Sequence, residues 1–283
     1  MFAGVVAAAD DRTFVIRAQM APSPSAGSTE FPASKFFRLT IDPTAPVRAE
    51  RAHLAALPVP REPRGTVVWS ALSPDGSKLA VSSTRTQAKV RHPQLSVFNL
   101  RTATRRTWKT PPGFGASLTW LADNRTLALA GAPVRDYKWQ VLLLDTAAPG
   151  TSFAADARVA ARISSSSRLI WREVMITPDG RTLLIARETP IPGGWPITGT
   201  ARLQRYDVLT RKMTSIVDAR KVRLGEFQEL QWSSRSGQVL ISLLPRHPEQ
   251  TGAGINTERT AAVIVGNRIY PIPWYRTAIE AAW

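Results

Sequence analysis

Aspartates recur at equivalent places along the chain, and their spacing makes them the first candidates for catalytic residues. Asp10, Asp75, Asp123 and Asp179 each follow a strand-like apolar segment, and a group of carboxylates would suit general acid–base catalysis. The fifth equivalent place is occupied by Arg235. Each aspartate also lies where a hairpin is expected to turn, and a carboxylate there accepts hydrogen bonds from its own turn. We therefore interpret these aspartates as structural residues.

Other catalytic or metal-binding signatures are missing from the sequence. The histidines His53, His92 and His247 stand far apart, and none has a second ligand at metal-site spacing. The chain contains no cysteine, no Gly-x-Ser-x-Gly nucleophile elbow and no glycine-rich phosphate loop with its lysine. These observations predict no metal, no cofactor and no enzymatic activity.

The chain is strongly basic, and this charge favours an anionic partner. Its formal net charge is +16 and its pI is about 11.3. The densest basic run places Arg101, Arg105, Arg106 and Lys109 around Trp108, a composition that suits a nucleic-acid surface. The same run is expected on the outermost strand of a sheet, where exposed arginines prevent edge-to-edge pairing. We favour the interpretation as a solvated edge and keep polyanion binding as an alternative.

A repeated turn positions these residues. Between Leu72 and Ser82, the sequence Ser-Pro-Asp-Gly-Ser-Lys connects two apolar runs. Proline and aspartate favour the early positions of a tight turn, and glycine accepts the left-handed backbone that a hairpin corner needs. Related segments recur at spacings of about 65, 48, 56 and 56 residues, slightly above the period of propeller blades. The chain is therefore predicted to be a repeat protein.

Each copy of this hairpin is followed by a second one. An apolar strand ends on Asp or Asn at positions 42, 99, 145 and 207, and Gly266-Asn267 provides the corner in the fifth copy. Two hairpins per repeat give four strands, which make one propeller blade. We predict an all-β propeller with five recognisable blades and a partial sixth, begun by the segment that ends at Trp283. A closed five-bladed ring is the alternative.

Blade boundaries follow from these hairpins. The innermost strand of the first blade is predicted at residues 2–9, and the later blades at residues 66–109, 116–163, 172–217 and 226–272. A short helix is predicted within residues 153–162, and residues 50–57 are predicted as an outer strand with its connection. Since a chain of this length suits one propeller, residues 1–283 are predicted to form a single domain.

The Ser-Pro-Asp-Gly turn followed by an apolar strand resembles the repeats of bacterial WD40-like and TolB-type β-propellers. The segments at residues 10–16 and 145–150 and the final Ala-Trp resemble, more closely, membrane-anchored propeller proteins of actinobacteria. This resemblance covers nearly the whole chain and implies the propeller fold, with a membrane anchor and further strands upstream. As written, the sequence has no membrane-spanning stretch and predicts a soluble chain; an upstream anchor would place it outside the cytoplasm.

The loops between the second and third strands are the predicted binding surface. They are expected to be long, at residues 20–34, 84–93, 131–138, 188–200 and 244–258, whereas the other turns are tight. Tolerated insertions would give the same lengths. The candidate partner-binding residues on these loops are Arg91, His92, Arg135, Tyr137, Trp195, Arg246 and His247.

We expect the chain to be a non-enzymatic protein-interaction or scaffold module at the cell envelope. Its expected partner is a protein or an acidic polymer, and nucleic acid is the less favoured partner. Two alternatives stay open. One is a polyanion-binding propeller, and the other is a propeller enzyme of the lactonase or lyase type that acts at the central channel.

Overall fold

The computed structural model describes the following parts of the chain: residues 2–7, 13–19, 35–41, 52–57, 59, 66–87, 90–112, 114–131, 139–148, 152–163, 170–190, 199–218, 227–232, 239–243, 250–251, 254–255, 260–265 and 268–271. These residues form 22 strands and one helix of four residues. The chain divides into two compact units, of which the first comprises residues 1–136 and 140–160 and the second comprises residues 137–139 and 161–281.

Unit 1 contains two complete four-stranded antiparallel sheets and most of a third. Each strand pairs with its neighbour in the chain, so that every sheet is two hairpins joined in sequence. We call these sheets blades 1, 2 and 3. Blade 1 consists of β1 Phe2–Ala7, β2 Thr13–Gln19, β3 Lys35–Ile41 and β4 Ala52–Ala56. Blade 2 consists of β5 Thr66–Leu72, β6 Lys78–Gln87, β7 Val90–Asn99 and β8 Thr104–Lys109. Blade 3 consists of β9 Phe114–Trp120, β10 Thr126–Gly131, β11 Trp139–Asp145 and β12 Ala157–Ile163, and the helix α1 Phe153–Asp156 precedes β12.

Unit 2 contains two further sheets of the same kind, blades 4 and 5. In blade 5 a short two-stranded pair is inserted between the second and third strands. Blade 4 consists of β13 Ile170–Ile176, β14 Thr182–Pro190, β15 Gly199–Asp207 and β16 Met213–Asp218. Blade 5 consists of β17 Phe227–Trp232, β18 Val239–Leu243, β21 Thr260–Val265 and β22 Arg268–Pro271. The inserted pair consists of β19 Gln250–Thr251 and β20 Gly254–Ile255.

Blade 2 lies in the core of unit 1 because its middle strands are apolar on both faces. Along β6, Leu79 and Val81 pack with side chains of blade 1, and Ala80 between them packs with side chains of blade 3. Successive side chains of a strand point to opposite faces, which explains this alternation. All three residues are fully buried. Burial of a Leu or Val side chain contributes about 1.5–3 kcal/mol, so packing of blade on blade stabilises unit 1.

The predicted all-β architecture of four-stranded blades is confirmed. Residues 52–56 form the outer strand β4, as predicted. The helix predicted within residues 153–162 is correct only for its first turn, since α1 ends at Asp156 and β12 begins at the next residue. Here pairing with β11 overrides a weak helical preference. The predicted sixth blade lies outside the described residues.

Among the described residues, no helix has the length and apolar character that crossing a membrane requires.

Candidate interaction surface

Each blade has two ends that are used differently. We call the end where the first strand passes into the second the turn end, and the end where the second strand passes into the third the loop end. At the turn end of blade 2, Ser73 Oγ donates to Asp75 Oδ1 over 2.6 Å, and the Ser77 backbone N–H donates to the same oxygen over 3.0 Å. Gly76 adopts a φ of 67°, the left-handed corner that this turn requires.

These hydrogen bonds set the charge state of the Asp75 carboxylate. Burial by itself raises its pKa, but the hydrogen bonds from Ser73 and Ser77, together with the nearby Arg101 cation, hold the pKa below its ordinary value. The carboxylate is therefore ionised at neutral pH and bonded to its own turn.

The turn ends of blades 3 and 4 repeat this arrangement. Asp123 accepts from the Thr126 backbone N–H over 2.8 Å and from Thr126 Oγ1 over 2.6 Å, and Asp179 accepts from Thr177 Oγ1. The Thr177 bond lowers the pKa of Asp179; for Asp123, burial raises the pKa, but the Thr126 bonds outweigh it. These bonds agree with the interpretation of the aspartates as structural residues. Asp10 lies outside the described residues.

The turn ends of blades 2 and 3 also bind each other. The Asp75 backbone N–H donates to Asn124 Oδ1 over 2.9 Å, and Lys78 Nζ donates to the Asn124 carbonyl oxygen over 2.8 Å. Lys78 Nζ lies 5.7 Å from the centroid of the Trp120 ring, and Trp120 Nε1 donates to the Ala71 carbonyl oxygen over 3.0 Å. We call this set of bonds the turn contact. It uses the polar groups of the turn end to hold two blades together.

A second contact joins the same blades at the outer strand of blade 2. Trp108 Nε1 donates to Asp156 Oδ2 over 2.9 Å, and Arg106 Nη2 donates to the same oxygen over 3.0 Å. The Arg106 guanidinium lies 4.6 Å from the Trp108 ring centroid and also donates to the Ala148 carbonyl oxygen. The Asp156 side chain is 2% exposed. We call this set of bonds the outer contact.

The outer contact corrects the prediction of a solvated edge along the basic run. Lys109 is exposed as predicted, but Arg106 is paired with a buried carboxylate and Trp108 is 3% exposed. The Trp108 ring therefore has no open face on which a nucleic-acid base could stack. Sequence reasoning missed this contact because Asp156 is 48 residues from Trp108 and its own segment indicated only a helix.

The loop end of blade 2 is a hairpin that continues past both flanking strands. β6 and β7 are ten residues long and pair along their whole length. Pairing of β5 with β6 stops at Thr84, and pairing of β8 with β7 stops at Gln94. Residues 85–87 and 90–92 therefore form a two-stranded ribbon without a flanking strand among the described residues. We call this segment the ribbon.

The ribbon corrects the prediction that residues 84–93 form a long loop. Arg91 lies opposite Thr86, and His92, which is exposed, lies opposite Arg85. Only residues 88 and 89 lie between the paired strands. The polar threonines and the valine of this segment favour extended backbone, and cross-strand hydrogen bonds satisfy backbone groups that a loop would leave to water. Arg91 and His92 are thus strand residues.

Blade 4 shows the same feature in unit 2. β14 and β15 pair as far as Pro190 with Gly199, whereas β13 pairs only to Glu188 and β16 only to Arg202. The predicted loop at residues 188–200 is therefore strand at both of its ends. In blade 5, the predicted loop at residues 244–258 contains the paired β19 and β20.

The structure locates only part of the predicted binding set. Arg91 and His92 lie in the ribbon. The other five, Arg135, Tyr137, Trp195, Arg246 and His247, lie outside the described residues. So does the predicted loop at residues 20–34, and so does the predicted loop at residues 131–138 except for Gly131, which ends β10. Within the described part of the chain, no group of three or more His, Asp or Glu side chains is placed to hold a metal ion.

Comparison with known proteins places the architecture among β-propellers. No protein-family model and no curated protein matches the sequence. Among solved structures, TolB from Acinetobacter baumannii is similar over 98% of this chain and 56% of its own, with a TM-score of 0.56 and 12% identity. The tricorn protease is similar over 97% of this chain and 26% of its own, with a TM-score of 0.55 and 12% identity. Pyrococcus horikoshii acylaminoacyl peptidase is similar over 96% of this chain and 39% of its own, with a TM-score of 0.51 and 10% identity.

These neighbours also correct the prediction that the chain has no enzymatic activity. The tricorn protease and the acylaminoacyl peptidase are enzymes by name and share this propeller architecture. The absence of a catalytic motif in a propeller chain therefore does not exclude an enzymatic function, and the prediction was wrong to exclude it. At 10–12% identity the similarity establishes the fold alone. The chain has the β-propeller fold, and its structural neighbours are TolB-type and other propeller proteins.

Proposed function

We propose that the chain is a β-propeller recognition module that binds a protein partner at the loop ends of its blades. The observation that carries this proposal is the ribbon of blade 2, in which three residues of each strand continue beyond any flanking strand described. A location at the cell envelope, which the family resemblance implies, is part of the same proposal.

The ribbon offers groups that a partner can bind. Along its outer edges, backbone N–H and C=O groups have no neighbouring strand among the described residues, and such edges accept an added strand from another chain. His92 is exposed and contributes a side chain that can donate or accept hydrogen bonds. Because both faces of blade 2 are packed, the ribbon is held by a rigid support.

The turn end is less suited to binding a partner. At blades 2 and 3, Asp75, Lys78, Asn124 and Trp120 already bind one another through the turn contact. A partner would have to replace these bonds before forming its own.

Site-specific photo-crosslinking tests this proposal. A photo-crosslinking amino acid is introduced at His92, in the ribbon, or at Leu209, which is exposed in the turn after β15 of blade 4. The two full-length variants are irradiated in cells of the native host, and protease-sensitive adducts are identified by mass spectrometry. We expect one or a few defined protein adducts from position 92 and none of these from position 209.

The Leu209 variant controls for random collision, because Leu209 is 89% exposed and lies in a turn of another blade. The same protein adducts at equal yield from both positions, or no adduct at position 92, would contradict the proposal. Fractionation of cells that express the native gene tests the envelope location.

A further inference from the structure

The positive charge of the chain is concentrated in one blade. Blade 2, from Thr66 to Lys109, contains eight lysines and arginines and one acidic residue, so its formal charge is +7 of the total +16. Over their corresponding spans, blades 1, 3 and 5 each carry +1 and blade 4 carries +2. No acidic residue occurs between Gly76 and Ala122. Arginine itself is spread over all the blades, with five in blade 2 and six in blade 4. The higher charge of blade 2 arises because it contains three lysines and only one acidic residue.

Several of these cations are available for binding. In the described part of the chain, blade 2 forms two ion pairs, Arg106 with buried Asp156 and Arg101 with Asp75. The second pair is long, at 3.9 Å, and the Arg101 side chain is 77% exposed, so solvent screens it strongly. Lys109 is exposed and has no carboxylate within ion-pair distance among the described residues.

The available cations follow the outer edge of blade 2. β8 is the last strand of its sheet, so one of its edges has no partner strand within the blade. Arg101 precedes β8 and Lys109 ends it. Arg105, on the same strand, is half-buried, donates to Thr107 Oγ1 and lies 5.5 Å from the Phe98 ring centroid, so it is already engaged within the blade. The ribbon, with Arg91 and exposed His92, continues from the pairing partner of β8. The open edge of β8 and these exposed cations thus lie along one strand, which ends beside the ribbon.

This arrangement favours an acidic polypeptide over a nucleic acid. Single-stranded nucleic acids need exposed aromatic rings on which bases stack. In blade 2, Phe98 and Trp108 are 1% and 3% exposed, and Trp120 of the neighbouring blade is 3% exposed. An open strand edge, in contrast, provides hydrogen bonds that match the backbone of another polypeptide.

We infer that blade 2 binds an extended acidic polypeptide segment along β8, its outer strand, and that the segment continues past the ribbon. Carboxylates of the segment lie against Arg101 and Lys109, and its backbone pairs with the open edge of β8. This inference rests on the proposed function, because it names the chemistry of the partner and extends its binding site from the loop end along β8.

Binding of an L-glutamate peptide to the full chain tests the inference. The peptide has about 12 residues, enough to extend along β8 and the ribbon, and fluorescence anisotropy reports its affinity. We expect saturable binding that weakens roughly tenfold between about 50 and about 300 mM salt. Arg101→Glu combined with Lys109→Glu should weaken binding at least ~10-fold.

A matched pair of charge reversals separates a local effect from net charge. Arg158→Glu and Arg162→Glu change the charge by the same amount at two exposed positions of β12, and they should leave the affinity within about twofold. Equal losses of peptide affinity from the two pairs of charge reversals would overturn the inference. Melting temperatures of all variants verify that the exposed substitutions leave the fold intact.

Two further probes distinguish a strand edge from a general anion site. A D-glutamate peptide and a polyphosphate of the same charge should both bind more weakly than the L-peptide, because neither matches the edge. Polyphosphate binding as tight as that of the L-peptide would overturn the inference.

If position 92 crosslinks to a protein but the L-peptide does not bind, the inference is wrong and the proposed function stands. If no crosslink forms, the proposed function itself fails.

Discussion

Blades 2 and 3 are joined at two places, and the two contacts use charge differently. In the outer contact, two donors, Arg106 and Trp108, share one oxygen of the buried Asp156 carboxylate. In the turn contact, Lys78 donates to a backbone carbonyl, and Trp120 Nε1 donates to another. One contact therefore depends on a buried charge, and the other depends on neutral acceptors.

This difference determines how much stability is lost when each contact is broken. When the Asp156 carboxylate is removed, Trp108 Nε1 stays buried without an acceptor, and the partly exposed Arg106 loses its charged partner. In the turn contact, water replaces much of an exposed bond such as that from Asp75 N–H to Asn124, and the buried bond from Trp120 is to a neutral acceptor, which is the weaker kind. The outer contact should therefore be the more sensitive of the two, although it contains fewer residues.

Removal of the shared carboxylate should have the largest effect. Asp156→Ala should lower the free energy of unfolding by about 2–4 kcal/mol, because Trp108 Nε1 loses its acceptor and Arg106 loses its charged partner. Urea denaturation measures the loss. Asp145→Ala is the matched control in the same blade, since its ion pair with Arg125 is exposed and should contribute less than about 1 kcal/mol. Similar losses in the two variants would show that burial of the ion pair is unimportant.

The two tryptophans allow a direct comparison of the contacts. Trp108→Phe removes a bond to a carboxylate and should cost about 1.5–3 kcal/mol, whereas Trp120→Phe removes a bond to a neutral carbonyl and should cost about 0.5–1.5 kcal/mol. Both rings are 3% exposed, so the change in packing is alike. Chemical denaturation of the two variants gives the order. The reverse order would contradict the proposed role of charge.

The corner of the turn end should show a smaller effect. Gly76→Ala places a side chain at φ 67° in open space, so the cost is backbone strain alone, about 1 kcal/mol. Gly76→Asn is the control, because Asn124 adopts φ 54° at the same place in blade 3. Thermal unfolding should show that Asn restores part of the loss caused by Ala. Equal melting temperatures for the Ala variant and the parent would exclude strain at this corner.

The smallest effect should come from the exposed pair of Asp145 and Arg125. The hydrogen bond from Arg125 is the main reason that the pKa of Asp145 falls from 3.8 to about 2. Since the pKa is lower in the folded state, the pair stabilises the fold above pH 3.8, and this contribution is lost as the pH falls towards 2. Asp145→Asn should therefore flatten the pH dependence of stability slightly in this window. A steeper pH dependence of stability in the Asp145→Asn variant would contradict the assignment of this contribution to the lowered pKa of Asp145.

The turn ends could be predicted from the sequence because their determinants are local. In Ser73-Pro74-Asp75-Gly76, the residues that form the corner also bond its backbone, within two positions of the aspartate. The same logic identified the turns at Asp123 and Asp179, and with them the four-stranded blades. The ribbon was missed because length and polarity suggested a loop, whereas pairing between residues 85–87 and 90–92 depends on two strands already held in register.

The sequence by itself determined the hairpins, their repetition and therefore the propeller blades, since each depends on residues a few positions apart. Only the tertiary structure decided which polar residues became buried. Arg106 and Trp108 appear in the sequence as part of an exposed basic run, and Asp156 as part of a short helix. They meet because packing of blade 2 against blade 3 brings together groups 48 to 50 residues apart, and a buried donor must then find a partner wherever the fold places one.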